Sequence, residues 1–431
     1  MNSPMPASHV KALLGNEPLL TQPPYARGLK RAIAGSLQSP LLVDGEKLFQ
    51  AGTDQIYEVD TVTWQDRETP LSPHPEDTVL YNPQTVDPEG RLLYVNQGKH
   101  RILAFRDGHA SPLVERPDDQ ASITSDLTVT PAGTLYYGTG NAEVHRRLPG
   151  GSEEILKMPC KRSGVGWAFA QPETILPARN GWTFVGTYDG VVGFDTEDKP
   201  RWVTPFQVTR ACFRQKLLET PDGSKIVYSG ADRTLQTLDA TTGKTVREYK
   251  LVEDGDSFNT PALDGEGNIY TVSSGGTLFK FSPDLEVLWK RPVGTGLGSA
   301  VTGAKVEFDA HGNVCVNPNT EHFHVYSPDG VLLMQLNGPE VFDGGRYAFD
   351  FTLSEDGTRA YIMSTNTTEG KYHNYLVEVG LPGSAEEVLS RVAADGSDNV
   401  GVRVEFGLIR VGGTAIRRRR RDQSFQCGAG E

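Results

Sequence analysis

Cysteine is scarce in this chain and nowhere organised. The four cysteines, Cys160, Cys212, Cys315 and Cys427, stand far apart and form no CxxC pair. Such usage fits a reducing compartment or buried free thiols, with a disulfide left open, and no zinc motif is present. Long apolar runs are missing as well. No stretch is long enough to span a bilayer, and the N-terminal MNSPMPASHVKALLGNEPLL lacks a basic n-region and a continuous apolar h-region. The expected location is the cytoplasm. Basic charge is in deficit: 42 Lys and Arg face 55 Asp and Glu, a formal net charge of −13. That balance speaks against a general nucleic-acid binder and for solubility. There is no P-loop, no GxSxG elbow and no HExxH. GTGLGS at residues 294–299 is glycine-rich but opens no helix, which makes it a connector and not a nucleotide loop.

Glycine (47) and proline (28) are plentiful in the 431 residues, as many tight turns require. Residues 217–251 show how they are used. A short apolar strand meets the turn Pro221-Asp222-Gly223. A second strand, a tight loop at 230–233, a third strand, a Thr-Thr-Gly turn and a fourth strand follow. Four strands joined by three turns make one antiparallel meander, which cannot bury both faces alone.

The rest of the chain supplies its neighbours. The first turn recurs as Asp44-Gly45, Glu89-Gly90, Ala132-Gly133, Asn180-Gly181, Asp222-Gly223, Glu266-Gly267, His311-Gly312 and Asp356-Gly357. The glycines are spaced 45, 43, 48, 42, 44, 45 and 45 residues apart. A β-rich run follows each of them, and a third strand follows in most repeats. In the repeat holding residues 143–147 the third strand is unusually polar. A period of that length with four strands per unit predicts an all-β fold, a β-propeller of eight four-stranded blades. A count of seven stays open if one repeat is irregular.

The stretch TPALDGEGNIYTVSSGGTLFKFSPDLEVLWKRPVG, residues 260–294, resembles the PQQ-like repeat of the quinoprotein alcohol dehydrogenase-like propellers. Trp202 and Trp289 fall at that repeat's fourth-strand aromatic position, with Tyr249 close to it. The resemblance spans residues 41–391, strongly in three repeats, and implies an eight-bladed ring. True PQQ dehydrogenases carry an adjacent-cysteine disulfide over the cofactor. This chain has no Cys-Cys pair, so no cofactor is carried over.

The flanks read differently. Residues 1–40 form an N-terminal arm, and apolar residues at roughly helical spacing in ARGLKRAIAGSL, residues 26–37, predict a short amphipathic helix serving as a lid or plug. The propeller is expected over 41–412, with an alternating strand in 400–411 closing the ring. Residues 413–431 form a basic tail whose Arg417–Arg421 block fits a solvated, disordered segment.

Propeller topology places the inter-blade connections and the second-to-third-strand loops on one face of the ring. These connections are long and unlike one another, and variable loops on a rigid scaffold are where sites are built. Three connections stand out: Arg162 and Trp167; Arg210, Phe213 and Arg214; Arg346, Tyr347 and Asp350. Phe258 and Asn259 precede the sixth repeat. Arginines beside aromatics in an acidic protein suggest a pocket for an anionic or planar group, because guanidinium offers forked donors and stacks on rings. The competing reading packs the aromatics under the loops and pairs the arginines with nearby acids.

The second-to-third-strand loops add His100, Tyr188, Asp189, Asp232, Arg233, Glu321 and His322. His100, His322 and Asp232 are the candidates for moving protons. His322 and His324 lie two apart on a strand and therefore share a face. No third ligand is assured beside them, so no metal is assigned. Two functions from different classes remain. One is a binding module presenting a small-molecule or protein site at one ring face. The other is an enzyme of the lyase, lactonase or cyclase type acting on an anionic or aromatic small molecule at the channel mouth. No membrane partner is expected, and nucleic acid is disfavoured.

Overall fold

The structure, a computed structural model, describes residues 18–20, 23–32, 42–51, 55–70, 84–96, 98, 100–117, 120–159, 172–187, 190–205, 216–229, 233–252, 257–294, 304–318, 322–337, 347–368, 371–394, 402–405, 408–411 and 414–415. Each of the eight predicted turns joins the first two strands of a four-stranded antiparallel sheet. The chain is an eight-bladed β-propeller. In blade 5 the strands are Leu217–Glu219, Lys225–Ser229, Thr234–Asp239 and Thr245–Lys250, paired in that order.

The turns form for a local reason. In six of the eight turns a side-chain oxygen three residues before the glycine, on Asp87, Thr130, Thr220, Asp264, Asp309 or Ser354, accepts backbone N–H groups that have no ladder partner. Asp309 Oδ1 takes the N–H of His311 and of Asn313, both at 2.8 Å. Asp264 takes Glu266 at 3.0 Å and Asn268 at 2.9 Å. Ser354 Oγ plays the part for Arg359 at 3.0 Å. The chain then reverses through a residue with φ between 57° and 83°, a region that costs a side chain energy and glycine little.

Alternation along the second strands sends successive side chains to opposite neighbours. Leu92 and Tyr94 pack with Phe49 and Ile56 of blade 1, whereas Leu93 and Val95 pack with Leu135 and Tyr137 of blade 3. The same division recurs around the ring, so each pair of adjacent blades shares a core. Tyr94, Tyr137, Tyr228, Tyr270 and Tyr361 are among the fully buried side chains. Each such burial contributes about 1.5–3 kcal/mol. First strands of neighbouring blades touch, which sets them at the inner edge of the ring. Fourth strands face outward and are largely exposed, as in Pro200–Pro205 and Thr245–Lys250. The tryptophans of these outer strands dock on the next blade. Trp202 Nε1 donates to Ala240 O at 3.2 Å and Trp289 Nε1 to Pro328 O at 3.0 Å.

Ring closure differs from expectation. Ala26–Ala32 is a strand, not the start of a helix, and it pairs antiparallel with Lys371–Gly380 from Ala26 opposite Val379 to Ala32 opposite His373. It completes blade 8, whose other strands are Tyr347–Leu353 and Arg359–Thr368. The segment is ambiguous by pattern: Arg27, Leu29 and Arg31 alternate with Gly28, Lys30 and Ala32, which suits a strand as well as a helix. The open edge of blade 8 decides between them, because its ladder groups need partners. The C-terminal stretch does not close the ring. Val402–Glu405, Leu408–Val411 and Thr414–Ala415 pair among themselves as a separate sheet. Just upstream of the ring strand, Leu19 and Leu20 donate N–H groups to Leu332 O and Leu333 O of blade 7, at 3.1 and 2.9 Å.

A helix at Ala385–Ala394 has no counterpart in the sequence reading. A capping box starts it: Ser384 Oγ accepts Glu387 N–H at 3.2 Å while Glu387 Oε2 accepts Ser384 N–H at 2.9 Å. Leu389 packs against Val331 and Leu333. Among the described residues no helix is long and apolar enough to cross a membrane.

Candidate functional site

The ring face of interest is built by the second-to-third-strand loops and the inter-blade connections. Arg162, Trp167, Arg210, Phe213, Arg214, Asp232 and Arg346 lie outside the described residues, as do Tyr188, Asp189 and Glu321. Tyr347, expected in a connection, opens the first strand of blade 8 opposite Thr365. Phe258 follows the packing alternative: it is buried edge-on against Phe279 and Phe281 at 5.7 and 6.1 Å. Asn259 ties blade 6 to the next connection, with Nδ2 donating to Val272 O at 3.0 Å and Oδ1 accepting Ala304 N–H at 3.2 Å. Arg233 holds φ at 71° and offers its carbonyl to Leu251 N–H at 2.8 Å.

His322 and His324 share a face of blade 7, their ring centroids 5.8 Å apart at 72°. His324 is buried and stacked on Tyr326 at 6.0 Å. Its Nε2 donates to Val293 O at 3.1 Å, which leaves Nδ1 as the bare nitrogen. Burial first, and the neighbouring His322 second, push its pKa down to about 3 against the pull of the carbonyl. It is a neutral core imidazole in the physiological range. Among the described residues no three His, Cys, Asp or Glu side chains are grouped to hold a metal ion.

His100 heads the third strand of blade 2. Its N–H donates to Asn96 Oδ1 at 3.0 Å, and its carbonyl accepts Arg116 N–H at 2.9 Å. Thus the start of the third strand is tied to the end of the fourth, where the chain leaves for blade 3. The His100 Nδ1 is buried with no hydrogen-bond partner among the described residues.

Beside it lies a cluster that the sequence reading did not single out. Arg116 reaches across to His145, with Nη1 3.2 Å from Nε2. Guanidinium only donates, so Nε2 accepts and the ring proton sits on Nδ1. Nδ1 lies 3.3 Å from Glu153 Oε2, close enough for electrostatic attraction though off the direction of a good hydrogen bond. Tyr137 stacks flat on the imidazole at 4.7 Å and 9°, and its hydroxyl donates a short hydrogen bond to Glu153 Oε1. Glu143 Oε2 stands 3.6 Å from Nε2. His145 beside Glu153 holds that carboxyl below its usual range. Burial, with Glu153 adding to it, pushes the Tyr137 phenol up. Thr139, wholly buried at the end of the second strand, has no partner for Oγ1 among the described residues, nor has Arg116 for Nε. The signal for this cluster was present in the polar third strand at 143–147. Its partners come from the previous blade and from three strands of its own, and no local pattern links them.

No family model and no curated protein matches the chain. Solved structures do resemble it. A streptogramin B lyase is 13% identical, with a TM-score of 0.47 over 71% of this chain and 96% of that one. An inactive variant of virginiamycin B lyase from Staphylococcus aureus, with quinupristin, is 10% identical, with a TM-score of 0.49 over 81% of this chain and 99% of that one.

Proposed function

We propose that this propeller is a binding protein that holds a small ligand on the ring face made by its inter-blade connections and second-to-third-strand loops. One observation carries the reading. Where blades 2 and 3 meet, three buried polar atoms have no hydrogen-bond partner among the described residues: His100 Nδ1, Arg116 Nε and Thr139 Oγ1. Native interiors pair almost all such atoms, so a group of them marks where water or a ligand belongs. The eight opposite turns, in contrast, are short, and six of them are capped by their own side chains.

The ligand class follows from the connections. Arg162, Arg210, Arg214 and Arg346 supply guanidinium groups, and Trp167, Phe213 and Tyr347 supply rings, a combination suited to an anionic or planar molecule. A catalytic variant of the same reading assigns proton transfer to His100, His322 or Asp232. The Nδ1 of His100, without a hydrogen-bond partner among the described residues, favours that variant over a purely passive module.

The test is native mass spectrometry of the purified protein with extraction of bound metabolites, repeated on Arg210→Ala and Arg346→Ala. A co-purifying anionic or aromatic small molecule lost from both variants supports the proposal. Retention of the same ligand by both would remove the arginine pocket. An empty protein that captures a macromolecular partner through this face would replace the small-molecule reading.

A further inference from the structure

We propose that the outer strand of blade 7 is a peptide-docking edge that the chain's own Leu19 and Leu20 hold closed, and that its partner is an extended protein segment carrying two adjacent large aliphatic side chains. The site lies on the outer rim of the ring and stands independently of the ligand face.

The outer strands of blades 3 to 6 are guarded by charge or proline. Glu153–Lys157 carries two glutamates and a lysine, and Pro200–Pro205 begins and ends on proline. Thr245–Lys250 holds Arg247 and Glu248, and Val287–Pro292 holds Lys290 and Arg291. Such residues discourage a foreign strand from pairing with an open edge. Leu332–Asn337, LLMQLN, has no charge and no proline. Its Leu332, Leu333, Met334 and Leu336 are at most 3% exposed. This edge is built to be covered.

The cover is a short extended backbone. Leu20 bridges Met334 in parallel: its N–H donates to Leu333 O at 2.9 Å and its carbonyl accepts Gln335 N–H at 3.4 Å. Leu19 N–H donates to Leu332 O at 3.1 Å. The two side chains have separate seats. Leu19 packs with Val331, Leu333, Ala385 and Leu389, and Leu20 with the core that holds Met334 and Leu336. Backbone bonds to an edge, with alternate side chains in pockets, are how a sheet recognises a peptide. By the two-residue period of a strand, Pro18 and Pro24 are in phase with Leu20, and neither has an N–H for the ladder. The chain's own segment therefore pairs briefly, whereas an incoming segment without those prolines has six residues to run along.

Lifting Leu19 and Leu20 does not open the ring. Seven residue pairs join Ala26–Ala32 to blade 8, Tyr25 O accepts Gly380 N–H at 3.0 Å, and Arg27 stays on Glu378. The few bonds at residues 19 and 20 put this segment at the low end of local stability, where exchange with a partner takes place.

The probe is a fluorescein-labelled peptide of residues 16–25, added to the full chain carrying Leu19→Asp and Leu20→Asp, which empties the edge. Fluorescence anisotropy is expected to show binding at least about tenfold tighter than to the unaltered protein, whose own segment competes. The peptide with both leucines changed to aspartate should not bind, and adding Leu389→Asp to the double variant should lose most of the binding. In the unaltered protein, the Leu19 and Leu20 amides should exchange hydrogen at least about a hundredfold faster than the slowest amides of Ala26–Ala32, a measurement that needs no variant to fold. No binding by a folded double variant, binding that ignores the leucines, or protection of Leu19 and Leu20 equal to that of the ring strand overturns the docking edge. A double variant that sediments as a dimer and is blind to the peptide overturns it in favour of self-association.

Discussion

Arg27 and Glu378, 351 residues apart in sequence, meet at 3.0 Å where the ring closes. Glu378 has only 2% of its side chain exposed, and both its oxygens take bonds from Arg27. Arg27 Nη2 also donates to Thr61 O of blade 1 at 2.6 Å, and its guanidinium lies 4.8 Å from the Trp64 ring. One side chain of the N-terminal strand thus links blade 8, which it completes, to blade 1.

Removing it should be felt by the whole molecule. Arg27→Ala leaves a buried carboxylate with the Tyr361 hydroxyl and the more distant Arg359, whose Nη1 is 3.7 Å away. Because Arg27 is itself partly exposed, the expected cost is about 1–3 kcal/mol rather than that of a fully buried pair. Denaturant midpoints would register it, and Arg27→Lys should recover part of the loss. An unchanged midpoint in Arg27→Ala would show that the latch does not hold the ring.

Trp202 makes a second prediction. A Cβ placed on Gly193 would come within 2.3 Å of the Trp202 ring, whereas one on Gly150 meets nothing. Gly193→Ala should therefore displace the tryptophan and destabilise the fold by about 1–3 kcal/mol. Gly150→Ala should be nearly neutral. Thermal melts of the two variants, with tryptophan fluorescence reporting the ring, compare them directly.

His324 predicts an acid-side loss of stability. Its pKa falls from 6.5 to about 3 in the folded chain, so below 6.5 the unfolded chain binds a proton that the folded one refuses. Stability from this group is complete above 6.5 and drains away as pH falls towards 3. Unfolding free energies across that window should show a slope that disappears in His324→Gln. A slope of equal size in the variant would assign the acid sensitivity elsewhere.

Cys315 should be chemically silent. It is fully buried in the core between blades 7 and 8, and burial pushes its thiol well up. Peptide mapping after iodoacetamide treatment of the native protein should find Cys315 unmodified, and modified after denaturation. Labelling in the native state would mean that this part of the ring opens readily.

The sequence revealed whatever is repeated. A glycine that needs positive φ recurs at the same place in eight blades, and two-residue alternation tells which side chains face which neighbour, so fold and blade count follow from Gly45 to Gly357. What occurs once is harder to read. Ala26–Ala32 fits two periodicities, and only an edge made by residues 371–380 selects the strand. The His145 cluster is assembled from Arg116, Glu143, Glu153 and Tyr137, which share no spacing. Its trace was a third strand too polar to belong simply to the core. Of the residues nominated for the site, His100 and His322 stand at strand starts on the ring face, and His324 belongs to the packing beneath it.

The strand that completes blade 8 is also made before every other strand of the ring. Arg27 leaves the ribosome 351 residues ahead of its partner Glu378. At bacterial or eukaryotic synthesis rates that is a wait of about 20–70 s. Seven blades can stack during that interval, but the circle stays open and its two terminal faces stay wet until the last hairpin emerges. During that time the nascent protein is a curved stack with two sticky ends, and a second nascent chain offering the same strand is its natural misfolding partner.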